Sequence, residues 1–169
     1  RIRMINDQLF RGERVYLSAH DPEKDAATES VWTHDSEYMT LVSAEPARPL
    51  SAAQIKKKYE EAAKEKNPLR VSFAIRMNEN DRLIGFVRLD HLEWANQAGS
   101  MSIGIGAAGD RRKGFGTEAL RLFLRYIFEE LNIHRLSATM AEDNKGALRL
   151  FEKAGFQVEV RRREGRNRG

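Results

Sequence analysis

Gly104-Ile105-Gly106-Ala107-Ala108-Gly109-Asp110-Arg111-Arg112-Lys113-Gly114-Phe115-Gly116 runs directly into a segment of strong helical periodicity. Apolar residues recur there at Leu120, Phe123, Leu124, Ile127 and Leu131, the spacing of a helix that buries one stripe. A basic, glycine-rich turn opening a helix gathers unpaired backbone N–H groups, a helix dipole and cationic side chains at one point. That combination binds a diphosphate.

Working outward, the turn sits inside an alternation of strands and helices. Arg14-Val15-Tyr16-Leu17 reads as a strand, and Asp21-Pro22-Glu23 as a helix start with a capping carboxylate and proline at the first helical position. Thr33 to Ser43 fits no single period. Ser51-Ala52-Ala53-Gln54 is a capping-box pattern, opening a helix to about Lys66. Val71, Phe73, Ile75 and Met77 alternate as a strand does, Asn78 to Asp81 turn the chain, and Arg82 to about Glu93 returns. Asn96 to Gly99 turns it again into a strand on which Met101, Ile103 and Ile105 face opposite to Ser102, Gly104 and Gly106. Beyond the glycine-rich turn and its helix come a strand from His134 to Met140, a helix from Lys145 to Ala154 and a strand from Phe156 to Arg161. The order β-α-α-β-β-β-α-β-α-β predicts an α/β fold with a mixed, mostly antiparallel central sheet flanked by helices.

The chain has 169 residues, 41% apolar and 32% charged, which predicts a single domain at 1–169 with a core at about 14–161 and a basic tail at 162–169. Cysteine is absent, excluding disulfides, thiolate metal sites and thiol nucleophiles. No metal site is expected. No apolar run reaches the length of a membrane span, and Arg1 to Met4 lacks the apolar core of a signal peptide, so the expected location is the cytoplasm, away from membranes. The net charge of +4 is too diffuse to call for nucleic acid as a partner. Arg161 to Arg168 reads first as a solvated tail and second as an RNA or ribosome contact.

Three phosphate-loop templates compete for the turn. Gly109 and Gly114 have the Walker A gap, but Phe115 and Gly116 stand where Lys and Ser/Thr are needed. Gly104-x-Gly106-x-x-Gly109 matches the dinucleotide fingerprint as a string, yet the helix does not open at those glycines. The third template is Arg111-Arg112-Lys113-Gly114-Phe115-Gly116. This resembles the Gln/Arg-x-x-Gly-x-Gly/Ala motif of the GCN5-related N-acetyltransferase superfamily, which cradles the pyrophosphate of acetyl-CoA. Asn144-Lys145-Gly146-Ala147 through Glu152-Lys153-Ala154-Gly155-Phe156 resembles a second segment of the same family. The layout is most similar to the branch that includes ribosomal-protein N-terminal acetyltransferases.

The resemblance implies a splayed parallel strand pair and acetyl-CoA as co-substrate. It places the diphosphate on the amides of Arg112, Lys113, Gly114, Phe115, Gly116 and Thr117, with Arg111, Arg112 or Lys113 adding charge. Backbone groups near Ile103 and Ile105 would pair with the pantetheine arm and polarise the thioester carbonyl. Asn144 would contact pantetheine or cap the next helix, and Lys153 and Phe151 would lie along the cofactor. Phe151 departs from the family, which often has Tyr there as general acid; packing in the core is its other reading.

Candidate bases for the amine are Asp90, His91 and Glu93, at the end of the strand before the active-site strand. Glu142 and Asp143 are weaker candidates or anchors for a cationic amine, and His134 reads as structural. The expected reaction is acetyl transfer to a primary amine (a protein N-terminus, a polyamine or another small amine) by direct attack in a ternary complex. The alternatives are a CoA-binding module without catalysis and an RNA-associated protein. Family members generally end on a two-strand hairpin. Here one strand is evident: either the final strand lies outside this sequence, or an edge is left open for a partner chain, which gives a homodimer.

Overall fold

The computed structural model describes residues 8–42, 46–64, 69–140, 145–154 and 157–162. Its six strands are β1 (Val15–Ser18), β2 (Val71–Met77), β3 (Leu83–Glu93), β4 (Ala98–Ile105), β5 (Arg135–Met140) and β6 (Gln157–Arg162). They form one sheet in sequence order. β1 to β4 pair antiparallel, while β4–β5 and β5–β6 pair parallel. Five helices complete the order: α1 (Pro22–Trp32), α2 (Ser36–Val42), α3 (Ala52–Ala63), α4 (Phe115–Glu129) and α5 (Lys145–Ala154).

The expected mixed α/β architecture is therefore present, with one helix more than the sequence order gave. α2 occupies the stretch that fits no single period. Asp35 starts it by accepting hydrogen bonds from the amides of Glu37 and Tyr38. The other caps behave as the sequence implies. Asp21 accepts from the amides of Glu23 and Lys24, and Ser51 and Gln54 close a reciprocal capping box. Several boundaries differ, two of them by more than one residue. α3 ends at Ala63 with Lys64 as its cap, and the β3–β4 turn spans residues 94–97, so Gly99 already belongs to β4.

Alternation along the strands sends residues to two helical layers. Ile75, Val87, Leu89 and Met101 pack under Leu120, Phe123, Ile127 and Phe151 of α4 and α5. Ala74 and Phe86 point the other way, to Trp32, Tyr38 and Met39 of α1 and α2. Each fully buried large side chain of this kind contributes roughly 1.5–3 kcal/mol. Among the described residues, no helix is long and apolar enough to cross a membrane.

Candidate active site

The glycine-rich turn is built around Gly114, the N-cap of α4, at φ 84°. Its left-handed backbone lets the chain turn sharply into the helix without a side-chain cap. The first backbone bond of the helix is Glu118 N–H to Gly114 C=O at 3.1 Å. Among the described residues, the amides of Gly114, Phe115, Gly116 and Thr117 have no backbone acceptor, the state in which a helix N-terminus receives an anion. Arg112 and Lys113 are exposed beside them, Arg112 itself at φ 62°.

Long-range contacts hold this corner in place. The Glu118 carboxylate accepts from the backbone amides of Arg14 (2.8 Å) and Val15 (2.7 Å), tying the first turn of α4 to β1. Arg14 donates to Lys113 C=O at 2.8 Å and lies over the Phe115 ring at 5.0 Å. Asp110, the acid within the turn, is bound by both terminal nitrogens of Arg82 at 2.8 and 2.9 Å. That guanidinium holds the Asp110 carboxyl below its ordinary range and cancels its charge, so the turn stays electropositive. Arg111 directs its side chain inward, donating to the carbonyls of Ile105 and Gly106 (both 3.0 Å) and to Asp35 (3.1 Å).

Beside this corner the sheet opens. β4 pairs with β5 only from Ala98 to Ser102, whose partner is Thr139. β5 goes on to pair with β6 as far as Met140. Ile103, Gly104 and Ile105 keep Val87, Phe86 and Gly85 as partners on β3 but have no strand partner on the β5 side among the described residues. Gly106 N–H donates to Ile84 C=O at 2.9 Å, so Gly104 and Gly106 turn their main-chain groups towards β3. By alternation, those of Ile103 and Ile105 face the open edge. One of the four, the Ile105 carbonyl, is taken by Arg111.

The remaining sequence candidates are dispersed. Asp90 stands opposite Ser100, five residues from Ile105 and about 17 Å along the strand. Its carboxylate is paired with Arg70 and with Arg88, the latter at 2.8 Å. His91 and Glu93 are exposed at a register shift, where His91 has φ 53°. Phe151 is 1% exposed within the core, while Lys153 is exposed on α5. His134 packs edge-on against Phe128 and bonds Asn132 at 2.8 Å. Asn144, Glu142, Asp143, Gly155, Phe156 and the tail beyond Arg162 lie outside the described residues.

Sequence reasoning missed a polar layer beneath α1 and α3. Asp25 forms a two-point ion pair with Arg76 at 3.0 and 2.7 Å, both side chains being almost fully enclosed. The ring of Tyr59 lies 4.9 Å from that of His20. His20 in turn meets Ser72 Oγ at 2.8 Å. Burial pushes the Glu29 carboxyl up to about 7 and the His20 imidazole down to about 4. Burial likewise drives the hydroxyls of Tyr38 and Tyr59 far up, so both stay protonated. A helix face that buries acids carries no apolar stripe, which is why periodicity did not reveal it.

Comparison with known proteins gives one family match, the acetyltransferase (GNAT) domain, over residues 14–157. The "Probable N-acetyltransferase YjcK" of Bacillus subtilis is 40% identical over 88 residues, which are 52% of this chain and 48% of that protein. The spermidine N(1)-acetyltransferase of Vibrio cholerae is 32% identical over 77 residues, 46% of this chain and 44% of that protein. The chain spans about half the length of the curated relatives it matches. Among solved structures, the spermidine N-acetyltransferase of Vibrio cholerae in complex with CoA and spermine superposes with TM-score 0.66 at 23% identity, covering 83% of this chain and 79% of that one. A GNAT-family acetyltransferase from Bacillus anthracis superposes with TM-score 0.65 at 20% identity, over 86% and 81%. At such identities the superpositions speak for the fold.

Proposed function

The chain belongs to the acetyltransferase (GNAT) family, and from that premise we propose that it transfers an acetyl group from acetyl-CoA to a primary amine by direct attack within a ternary complex. One observation carries the reading: the open edge of β4 at Ile103–Ile105 runs into the uncapped N-terminus of α4 at Gly114. A molecule with a diphosphate at one end and an amide-bearing arm at the other fits both features together. The first-turn amides of α4 bind the diphosphate, helped by the helix dipole and by Arg112 and Lys113. Main-chain groups of Ile103 and the Ile105 amide pair with the arm, and one such donor polarises the thioester carbonyl. Arg111 serves by fixing the bend at Ile105–Gly106 from beneath. Holding the amine against the thioester supplies most of the remaining acceleration.

The spermidine N(1)-acetyltransferase among the relatives favours a small cationic amine over a ribosomal-protein N-terminus as acceptor. Titration calorimetry with CoA tests the first half of the proposal. Release of free CoA thiol from acetyl-CoA with a panel of polyamines, peptides and aminoglycosides tests the second, free of protein background because the chain has no cysteine. The expected result is CoA binding together with thiol release that depends on an amine. Absence of CoA affinity would overturn the proposal, and binding without turnover would leave a CoA-binding module.

A further inference from the structure

Arg14 immediately precedes β1 in the chain, yet its side chain reaches the N-terminus of α4 and is held there at three points. Nε donates to Glu118 Oε1 at 3.2 Å, Nη1 donates to Lys113 C=O at 2.8 Å, and the guanidinium lies over the Phe115 ring at 5.0 Å. A guanidinium carries five N–H donors in a fixed planar fork. The two bonds use one donor on Nε and one on Nη1, leaving Nη2 without an acceptor among the described residues. This nitrogen stands 2.9 Å from where a Cβ on Gly114 would lie. Glycine is thus needed at the N-cap twice over, for its φ of 84° and for the room it leaves Nη2.

The charges around Arg14 turn its cationic end outward. Glu118, its ion-pair partner, is 12% exposed and spends its other oxygen on the amides of Arg14 and Val15, whereas the Arg14 side chain is 48% exposed. Nη2 therefore meets solvent at the N-cap from which the unpaired first-turn amides begin. The other cations of the corner are placed differently. Arg111 is turned inward, and Arg82 is matched by Asp110. Arg112 and Lys113 are exposed, and among the described residues no hydrogen bond or ion pair holds their side chains. Arg14 alone of these exposed cations beside Gly114 is fixed before a ligand arrives. A preset donor gives up little side-chain freedom on binding, a cost that a flexible surface cation bears in full.

We propose that Arg14 is a further cofactor-binding residue, whose Nη2 donates to an oxygen of the CoA diphosphate seated on the first turn of α4. The inference rests on the reading of the chain as an acetyl-CoA-dependent transferase. The contact comes from outside the glycine-rich turn, from a residue 99 positions before Lys113. A guanidinium bonded to a phosphate oxygen makes a charge-assisted hydrogen bond, about twice as strong as a neutral one. CoA carries a second anionic group, the 3′-phosphate of its ribose, and a guanidinium accepts either. The place of Nη2 against Gly114, where the helix amides open, selects the diphosphate.

The test is calorimetric titration of wild type, Arg14→Gln and Arg14→Lys with CoA and with dephospho-CoA, which lacks the 3′-phosphate. Arg14→Gln should lose about 10- to 100-fold in affinity for both ligands alike, the loss of one hydrogen bond to a charged group. Arg14→Lys keeps the charge but cannot hold two anchors and also reach the phosphate, so it should lose about 3- to 10-fold. Phosphorus NMR of bound CoA should show the diphosphate signals shifted between wild type and Arg14→Gln, with the 3′-phosphate signal unmoved. The deficit of Arg14→Gln should also narrow in about 1 M salt, where an exposed ionic contact is screened and a misplaced turn would not be repaired. Wild-type affinity in Arg14→Gln, a loss seen with CoA but not with dephospho-CoA, or a deficit indifferent to salt would each overturn the inference while leaving the proposed activity standing. A wild-type protein without affinity for CoA would overturn both. Should Arg14→Gln fail to fold, wild-type affinity and unmoved diphosphate signals in Arg14→Lys are the overturning result.

Discussion

Gly116→Ala separates cofactor approach from folding more cleanly than any other substitution in the glycine-rich turn. A Cβ built on Gly116 meets nothing nearer than Ile105 Cγ1 at 3.6 Å and Cδ1 at 3.9 Å, ordinary van der Waals contact. The residue lies in the first turn of α4 with negative φ, so alanine fits the backbone. Replacing glycine in a helix then stabilises it by about 0.5–1 kcal/mol. For a chain of this size that raises Tm by about 1–4 °C. The ligand side is different, because the methyl group occupies the surface where a phosphate oxygen approaches the amide. Losing one hydrogen bond to a charged group costs about 1.5–3 kcal/mol, so CoA affinity should fall about 10- to 150-fold. Calorimetric titration with CoA and a thermal melt of the apo-protein read the two quantities independently. An unchanged Kd would refute close backbone approach at this residue, and a lowered Tm would refute the claim that the protein itself has room. Gly114→Ala lacks this clarity: its φ of 84° and Arg14 Nη2 at 2.9 Å from the new Cβ damage the fold directly.

Two further outcomes follow from buried groups. Phe151→Tyr, which restores the family's usual residue, places a hydroxyl at a position 1% exposed in the core; it should cost about 1–3 kcal/mol without raising kcat, and a faster enzyme of unchanged Tm would show instead that the ring edge reaches the thiol. Stability against pH should carry two opposed slopes. Below 6.5 the unfolded chain protonates His20 before the folded one does, so stability falls as pH drops towards about 4. Glu29 acts in the other sense: the folded chain keeps its proton between 4.5 and about 7, so stability falls as pH rises through that window, by an amount on the order of 3 kcal/mol. Urea midpoints from pH 4 to 8 should therefore be nearly flat between 4.5 and 6.5, with an alkaline decline that Glu29→Gln removes; a decline of equal size in Glu29→Gln would sink this account.

The half of the chain from Val71 onward was legible because its signals are local. Period-two strands, a glycine turn and the Leu120–Phe123–Leu124–Ile127 stripe each act within a few residues, and each element formed where its pattern lay. The N-terminal half is different in kind. α2 has seven residues and starts on an aspartate cap, too short for a period to declare itself. α1 buries Asp25 beside Ala26 and Trp32, and an acid on the inner face erases the apolar stripe that reveals a helix to sequence reading. Within the turn, the run Arg111-Arg112-Lys113 says that charge is present but not where it points. Arg111 finds Asp35, 76 residues away, a partner no local pattern names.

Those long-range partners also tie both helical layers to one bend of the chain. Gly106 has no unusual φ; it is needed for approach, since Trp32 of α1 fills the space its side chain would take. Arg111 binds the carbonyls of Ile105 and Gly106 on one side and the Asp35 cap of α2 on the other. The bend that leads β4 into the glycine-rich turn is thus clamped between Trp32 of α1 and the Asp35 cap of α2. For a cofactor lying along the open edge of β4, this clamp fixes the main-chain groups of Ile103 and Ile105 relative to the first turn of α4. A rigid connection of that kind is what direct transfer requires, because misplacement by an ångström at the reacting atoms is felt in the rate far more than in the stability.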